Sequence, residues 1–157
     1  MEKTMDVLDK NLKEKWRNYL WQGALAGLAI VAISAVLRNF LNLILIAAAG
    51  STAFVVFALP HTRTANPRSV VGGHGLCVLA GIICAYLPIP EFKGGLAVAL
   101  GFFLMVVTNS EHPPAAGTAL ALTESSLLEG SLFILASALF FSGLRQILLS
   151  KLKNLAG

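Results

Sequence analysis

Residues 109–114 read Asn-Ser-Glu-His-Pro-Pro and stand between two apolar runs, at positions 94–108 and 115–123. A residue that precedes proline is pushed out of the α region, so Pro113 and Pro114 end the incoming helix just before them. Pro114 also suits the first turn of the next helix, where its missing N–H costs little. The stretch therefore predicts a helical hairpin that is broken at 109–114.

The composition around this break is that of a membrane domain. The chain has 157 residues, of which 56% are hydrophobic and 13% charged, and its mean hydropathy is +0.75. Soluble domains carry about 25% charged residues, so a soluble fold is excluded. The net charge of +4 does not indicate nucleic-acid binding, because the basic residues flank apolar segments and form no stripe. Catalytic motifs are also missing, so we expect neither an enzyme nor a cofactor.

Four further apolar segments have the length of a membrane-crossing helix, which needs about 20 residues. They cover residues 19–37, 41–59, 70–87 and 131–149. The first two are joined by Arg38-Asn39-Phe40, which predicts a tight hairpin. The run at 94–108 is short for a full crossing.

The distribution of basic residues favours a hairpin that enters the membrane and returns. With that topology, ten bases lie on the cytoplasmic side and two on the other, as the positive-inside rule requires. We therefore predict an all-α polytopic membrane protein with about four transmembrane helices and a re-entrant broken-helix hairpin, whose His-Pro-Pro tip lies near mid-membrane. An amphipathic cytoplasmic segment (1–18) precedes the transmembrane domain (19–150), and a short basic cytoplasmic tail (151–157) follows it. No signal or transit peptide is indicated, so the plasma membrane is the expected location.

Helix ends inside the membrane suggest an anion site. The helix after the break is expected to present its first free amides, around Gly117, with roughly half a positive charge. The step Gly50-Ser51-Thr52 predicts a second break, with a half-helix starting at Ala53. A similar run of small residues recurs, Ala-Ala-Gly-Ser-Thr-Ala at 48–53 and Ala-Ala-Gly-Thr-Ala at 115–119. These interruptions are either facing ends of an anion site or kinks closed by hydroxyl groups.

Ionisable residues inside apolar segments mark pathways or proton relays, because an unpaired charge there is costly. Glu111 and His112 are such a pair and form either a relay or a gate; His112 is alternatively a neutral structural group. His74 has the same two interpretations. Arg68 pairs with Glu111, attracts anions to the mouth, or only sets the topology. The histidines lack the i, i+3 or i+4 spacing of a helical metal site, so no metal is predicted.

Three segments together resemble a known family. They are Ser-Glu-His-Pro-Pro-Ala-Ala-Gly-Thr-Ala at 110–119, Asn-Pro-Arg-Ser-Val-Val-Gly-Gly-His at 66–74, and Gly-Ser-Thr-Ala at 50–53. In this order they are similar to the HPP family of small integral membrane proteins. The resemblance implies about four membrane spans, and nitrite transport for plant chloroplast and cyanobacterial members. It nominates, by position, Pro67, Arg68, Gly72, Gly73, His74, Glu111, His112, Pro113 and Pro114.

These observations predict a transporter or channel for a small monovalent inorganic anion, with nitrite the first candidate. Its partners are the lipid bilayer, that anion and further copies of the chain, which we expect to pack on the Gly23-x-x-x-Gly27 face. The alternatives are a membrane scaffold that transports nothing and a metal-cation carrier. The predicted substrate and pathway residues are Gly50, Ser51, Thr52, Arg68, Gly72, Gly73, His74, Asn109, Glu111, His112, Pro113, Pro114, Gly117 and Thr118.

Overall fold

A computed structural model describes residues 12–40 and 43–155 of the chain. Within these ranges it contains six α-helices, two 3-10 helices and no strand. The α-helices are α1 (Leu12–Val36), α2 (Leu43–Ala58), α3 (Pro67–Ala85), α4 (Pro90–Val107), α5 (Ala115–Leu122) and α6 (Leu127–Leu148). The 3-10 helices are Arg38–Phe40, at the predicted tight turn, and Arg63–Ala65. The protein is a polytopic helical membrane protein, as predicted.

Four of the described helices are long and apolar enough to cross a membrane, namely α1, α3, α4 and α6. The predicted second span is shorter than expected, since α2 has 16 residues. By contrast, the first arm of the predicted hairpin is longer, since α4 has 18 residues. Its extra length arises because Pro90 occupies the first turn and Glu91 follows it at the positive end of the helix dipole. The predicted apolar run begins only after these polar residues, at Gly94.

The predicted amphipathic segment lies partly outside the described residues, which begin at 12. From there α1 continues without interruption to Val36. The predicted glycine face is open, because a Cβ atom added at Gly23 or Gly27 would meet no atom within 4 Å. The association of copies on this face remains a prediction.

The prediction of a break at residues 50–52 is wrong, because α2 is continuous through all three. The Thr52 hydroxyl lies within hydrogen-bond distance of the Ala48 carbonyl, 2.9 Å away in the same helix. This bond lets threonine stay in a helix without opening it. No half-helix begins at Ala53, so this step offers no free amides.

The break after α4 is confirmed, and a left-handed residue ends the helix. Asn109 has φ 53°, a conformation that asparagine tolerates better than most residues. The Ser110 N–H donates to Met105 O at 2.9 Å and the Asn109 N–H to Val106 O at 3.2 Å, which is a Schellman motif. Residues 108–114 are non-helical, and α5 starts directly after Pro114.

The tip of the hairpin lies at one end of the bundle, beside the loop that joins α2 to α3. Arg63, for example, donates to the Asn109 side chain at 2.9 Å. Helix α4, about 27 Å long at 1.5 Å per residue, thus reaches the level of this loop at Asn109, whereas His112 contacts Thr52 and His74 further inside, and the mid-membrane depth of the tip stays a prediction. The hairpin does return as predicted: Lys93 Nζ, at the start of α4, donates to Thr123 O after α5 at 2.7 Å.

The tail beyond α6 packs against the first two helices. The buried Gln22 side chain of α1 accepts from Lys153 N–H at 3.1 Å and donates to Lys153 O at 2.9 Å. Leu155 N–H donates to Ala58 O at 2.7 Å. The tail segment that was predicted only as a basic extension thus closes the α1–α2 pair.

Helix α3 occupies the centre and packs on α4, α5 and α6. Its glycines allow this close packing, and Gly81 shows how closely. A Cβ atom added there would lie 2.8 Å from Leu122 Cβ and 2.9 Å from Ala119 O, both on α5. We expect Gly81→Ala to lower the free energy of unfolding by about 1–3 kcal/mol through overpacking.

Thermal unfolding in detergent measures this effect, with Gly75→Ala as the control. Gly75 lies on the same helix and an added Cβ there meets nothing within 4 Å. Both changes carry the same helix-propensity gain. Equal stability of the two variants would contradict the packing argument.

Candidate functional site

His74 lies at the centre of a buried set of hydrogen bonds. Its Nε2 is 2.9 Å from Thr52 Oγ1 on α2, and its Nδ1 is 2.8 Å from Thr118 Oγ1 on α5. All three side chains are at most 1% exposed. Both ring nitrogens of a histidine from α3 are therefore satisfied by threonines from the helices on either side.

His112, in the break, joins the same set. Its Nε2 is 3.2 Å from Thr52 Oγ1, and its Nδ1 is 2.8 Å from the Thr64 carbonyl in the α2–α3 loop. The centroids of the His74 and His112 rings are 5.1 Å apart. We call Thr52, His74, His112 and Thr118, with the Thr64 carbonyl, the histidine network.

Glycines of α3 allow the break to approach the network. A Cβ atom at Gly73 would lie 2.9 Å from His112 Cβ, and one at Gly72 would lie 3.2 Å from Ser110 Oγ. Gly73 is thus the residue whose lack of a side chain makes room for His112. The sequence motif Gly-Gly-His thus has a structural explanation. Gly72 and Gly73 leave room for Ser110 and His112 of the break, and the His74 ring lies beside the His112 ring.

The repeated run of small residues also has a structural counterpart. Thr52 and Thr118 stand near the ends of the two similar segments, and each binds one ring nitrogen of His74. The segments touch, because a Cβ atom at Gly117 would lie 3.4 Å from Ala48 Cβ. Small residues at 48 and 117 therefore bring α2 and α5 together around His74.

At the surface beside the network, Arg63 forms the ion pair with Glu111. Its Nη2 lies 3.1 Å from Glu111 Oε2. Arg68 instead donates from Nη2 to the Thr108 carbonyl at 3.1 Å. The pairing of Arg68 with Glu111 is therefore not formed. Sequence reasoning missed Arg63, since two arginines in one loop give no local signal of which will face the break.

The first amides of α5 are not free. The N–H groups of Ala115, Ala116 and Gly117 donate to the carbonyls of residues 112, 113 and 114 at 2.9, 3.1 and 3.2 Å. The prediction that these amides face an anion is wrong, because a tight turn uses them locally. Neither of the two predicted helix ends therefore offers free amides to an anion, since no helix begins at Ala53 and the first amides of α5 are bonded locally.

A cavity of about 210 Å³ adjoins His112 on the α4 side. Its polar groups are those of Glu111 and His112, and its other walls are apolar. The lining residues are Phe102, Met105, Val106, Glu111, His112, Pro113 and Ala116. The cavity borders on His112, whose ring nitrogens bond within the network.

The predicted site residues separate into four groups by position. Thr52, His74, His112 and Thr118 form the network, and Gly72, Gly73, Pro113, Pro114 and Gly117 surround it. Arg68, Asn109 and Glu111 lie at the rim. Gly50 and Ser51 are not brought to the network: Ser51 is exposed on α2, and an added Cβ at Gly50 meets nothing within 4 Å.

Arg145 is a structural residue that sequence reasoning treated only as a topology signal. It is 4% exposed, and its guanidinium donates to Pro60 O from Nε at 2.8 Å and also from Nη2. Nη2 donates further to Asn66 Oδ1 at 2.8 Å. Arg145 thus fixes both ends of the α2–α3 loop that supplies Thr64 and Arg63.

We expect Arg145→Met to lower the free energy of unfolding by about 1–3 kcal/mol, because the buried Pro60 carbonyl loses its donor and the bond to the Asn66 side chain is lost. Thermal unfolding in detergent measures the loss. Lys151→Met, which removes an exposed base just after the same helix, is the matched control. Wild-type stability of Arg145→Met would show that the loop holds without this arginine.

In the part of the chain that the structure describes, no group of three or more His, Cys, Asp or Glu side chains is placed to hold a metal ion. The two cysteines, Cys77 and Cys84, are free and buried.

The comparisons with known proteins agree with the fold. The model of the family described as HPP, transmembrane region, matches residues 11–155. A transmembrane protein of Dictyostelium discoideum is 30% identical over 110 residues, which cover 65% of this chain and 38% of that protein. The chain thus spans well under half the length of this relative. No solved structure matches. Because the family model covers nearly the whole chain, including the network and its rim, the protein belongs to the HPP transmembrane family.

Proposed function

We propose that the protein transports a small monovalent anion across the membrane, with nitrite the first candidate, and that His112 takes part in the transport. The observation that carries this proposal is the histidine network, which is fully buried among helices apolar enough for a membrane. Polar and ionisable groups at such positions are expensive and as a rule serve a pathway.

The basic loop beside the network supports an anion as substrate. Arg63 and Arg68 are exposed where the break meets the α2–α3 loop, so they raise the local concentration of anions. The adjoining cavity is large enough for a small inorganic anion and borders on His112. In the proposed mechanism a proton bound to His112 supplies positive charge beside this cavity, and the Arg63–Glu111 ion pair at its rim serves as the gate.

Uptake of an anion into a cell is opposed by the membrane potential unless a positive charge moves in with it. The membrane potential opposes entry of one negative charge by about 2.3 kcal/mol per 100 mV. A proton that moves with the anion removes this opposition, and a histidine is the side chain that binds and releases protons near neutral pH. Proton-coupled transport therefore fits the network better than a passive channel.

The proposal also covers the membrane location, the orientation and the association of the transporter. The chain lies in a plasma membrane with both termini on the cytoplasmic side, and copies associate through the open face around Gly23 and Gly27. Cross-linking of single cysteines introduced at these two glycines tests the association.

Nitrite entry into proteoliposomes tests the function, with internal pH followed in the same sample. Empty liposomes correct for permeation of nitrous acid. Protein-dependent entry with acidification of the lumen is the expected result. Entry without a pH change would indicate a channel, and no entry above the control would favour another substrate or the scaffold alternative.

A further inference from the structure

The Thr52 hydroxyl has more neighbours than it has protons to donate. It lies 2.9 Å from Ala48 O, 2.9 Å from His74 Nε2 and 3.2 Å from His112 Nε2. A hydroxyl carries one proton and two lone pairs, so it donates one hydrogen bond and accepts two. The direction of its proton therefore determines which histidine nitrogens must carry hydrogen.

When His112 is neutral, only one pattern satisfies both rings. The Thr64 carbonyl can only accept, so His112 Nδ1 carries a hydrogen and Nε2 is bare. The Thr52 proton must then point at His112 Nε2. His74 donates from Nε2 to Thr52 and accepts at Nδ1 from the Thr118 hydroxyl.

Adding one proton gives a second complete pattern. His112 becomes an imidazolium and donates from Nε2 to Thr52, whose own proton turns to the Ala48 carbonyl. The two patterns differ by one proton and by the rotation of one hydroxyl. The network thus keeps all its hydrogen bonds to the rings in both protonation states, although the side chains are buried.

We propose that the histidine network is a binding site for one transported proton, which His112 and His74 share through the Thr52 hydroxyl. The inference deepens the proposed function, on which it rests, because it names the group that carries the coupled proton. Thr52 is the positioning residue of this site, since it links the two rings and holds no charge itself.

The proton passes between the rings in one balanced step. When the proton added to the neutral pattern binds at His74 Nδ1, His74 is an imidazolium that donates from Nδ1 to Thr118 and from Nε2 to Thr52. The His74 Nε2–H bond breaks as that proton joins the Thr52 oxygen. The original Thr52 O–H bond breaks as its proton joins His112 Nε2, which leaves His112 as the imidazolium and His74 neutral with its hydrogen on Nδ1. The network keeps one positive charge throughout, and no other reactant is required.

The site holds one proton at a time, because two imidazolium rings with centroids 5.1 Å apart would repel strongly in a medium of low dielectric constant. The nearby charged or titratable groups of the described chain make their recorded contacts outside the network. Glu111 pairs with Arg63, Arg68 binds Thr108 O, Arg145 binds Pro60 O and Asn66, and Cys77 contacts Met105.

Nitrogen NMR of the full chain in lipid nanodiscs, with labelled histidine side chains, tests the site without any transport. The chain has three histidines, and His61→Gln assigns the third. We follow the chemical shifts of the ring nitrogens during acidification from about pH 8 to about pH 4. We expect the shifts of His74 and His112 to change together, with one shared titration midpoint. In Thr52→Val, which removes the hydroxyl and keeps the shape, the two midpoints separate by about one pH unit or more.

Two further variants make the test specific. Thr52→Ser restores the hydroxyl and should restore the shared midpoint. Thr123→Val removes a buried hydroxyl that bonds the Leu120 carbonyl outside the network, and it should change neither histidine. In proteoliposomes, Thr52→Val should lower nitrite-dependent acidification at least about tenfold.

Separate midpoints in the wild type would overturn the proposal, as would a lack of titration in both histidines or an unchanged shared midpoint in Thr52→Val. A shared midpoint that Thr52→Val removes supports the proton site even if nitrite does not enter. Failure of the proton site and failure of nitrite transport are therefore distinguishable.

Discussion

Replacing His112 by glutamine should reduce proton-coupled nitrite uptake by about 100-fold or more, the scale on which proton transfer by a positioned side chain contributes. The glutamine amide has both a donor and an acceptor, so it can donate to the Thr64 carbonyl and accept from Thr52. It cannot take up a proton. Glutamine thus preserves the neutral hydrogen bonds while it removes the charge. Uptake of nitrite into proteoliposomes, with the pH trace, measures the effect.

The matched control is His61→Gln. His61 is exposed and binds the Leu152 carbonyl at 2.9 Å, outside the network. The His61→Gln protein should therefore take up nitrite at the wild-type rate. His112→Ala should lose transport too, with an added loss of stability because the Thr64 carbonyl is left without its donor. Wild-type uptake by a folded His112→Gln protein would remove this histidine from the mechanism.

Replacing Gly73 by valine should lower the free energy of unfolding by about 3 kcal/mol or more, or prevent folding. An added Cβ atom would lie 2.9 Å from His112 Cβ, 3.0 Å from Ser110 O and 3.3 Å from Met105 Sδ. Two of these contacts involve atoms on or next to the backbone of the break, which move only with the whole segment. The break would be pushed off α3, and His112 would leave Thr52.

Thermal unfolding and nitrite uptake both report this change. Gly75→Val is the control, because it places the same β-branched side chain in the same helix with no atom within 4 Å of the added Cβ. The two variants share the cost of valine in a helix, so their difference isolates the contact with the break. A Gly73→Val protein as stable and active as Gly75→Val would show that the break tolerates displacement.

The helix break could be predicted because its causes are local. Pro113 and Pro114 exclude the helix whatever surrounds them. The end of α4 also has a local signal, since Asn109 is a residue type that adopts the left-handed conformation after a helix. This asparagine marks the end of α4 to within two residues.

The continuity of α2 could not be predicted from its own sequence. Gly-Ser-Thr is compatible with a break or with a helix, and the choice depends on what Thr52 meets. In the fold it meets His74 and His112, which lie 22 and 60 positions away. Local patterns contain no information on such partners, so the Gly-Ser-Thr sequence by itself predicts a break that the folded protein does not have.

The role of Arg145 was hidden for a related reason. A base at the end of a transmembrane segment ordinarily reports topology. Here its acceptors are Pro60 and Asn66, and the sequence separation from Pro60 is 85 residues. Only the folded loop brings the Pro60 carbonyl oxygen and the Asn66 amide oxygen to the guanidinium. The same loop carries the Thr64 carbonyl that orients His112.

The bond between Gln22 and Lys153 bears on how the protein is made. The two residues are 131 positions apart, so the first span enters the membrane long before its polar side chain can meet this partner. Until then the amide has its other partner, the Phe57 carbonyl of α2, to which it also donates, and this bond matters because an unpaired amide in hydrocarbon costs several kcal/mol. The α1–α2 pair can thus form first, and its Lys153 bonds are added only once residue 153 has been synthesised, so the last contacts of the first helix wait for the segment that follows α6.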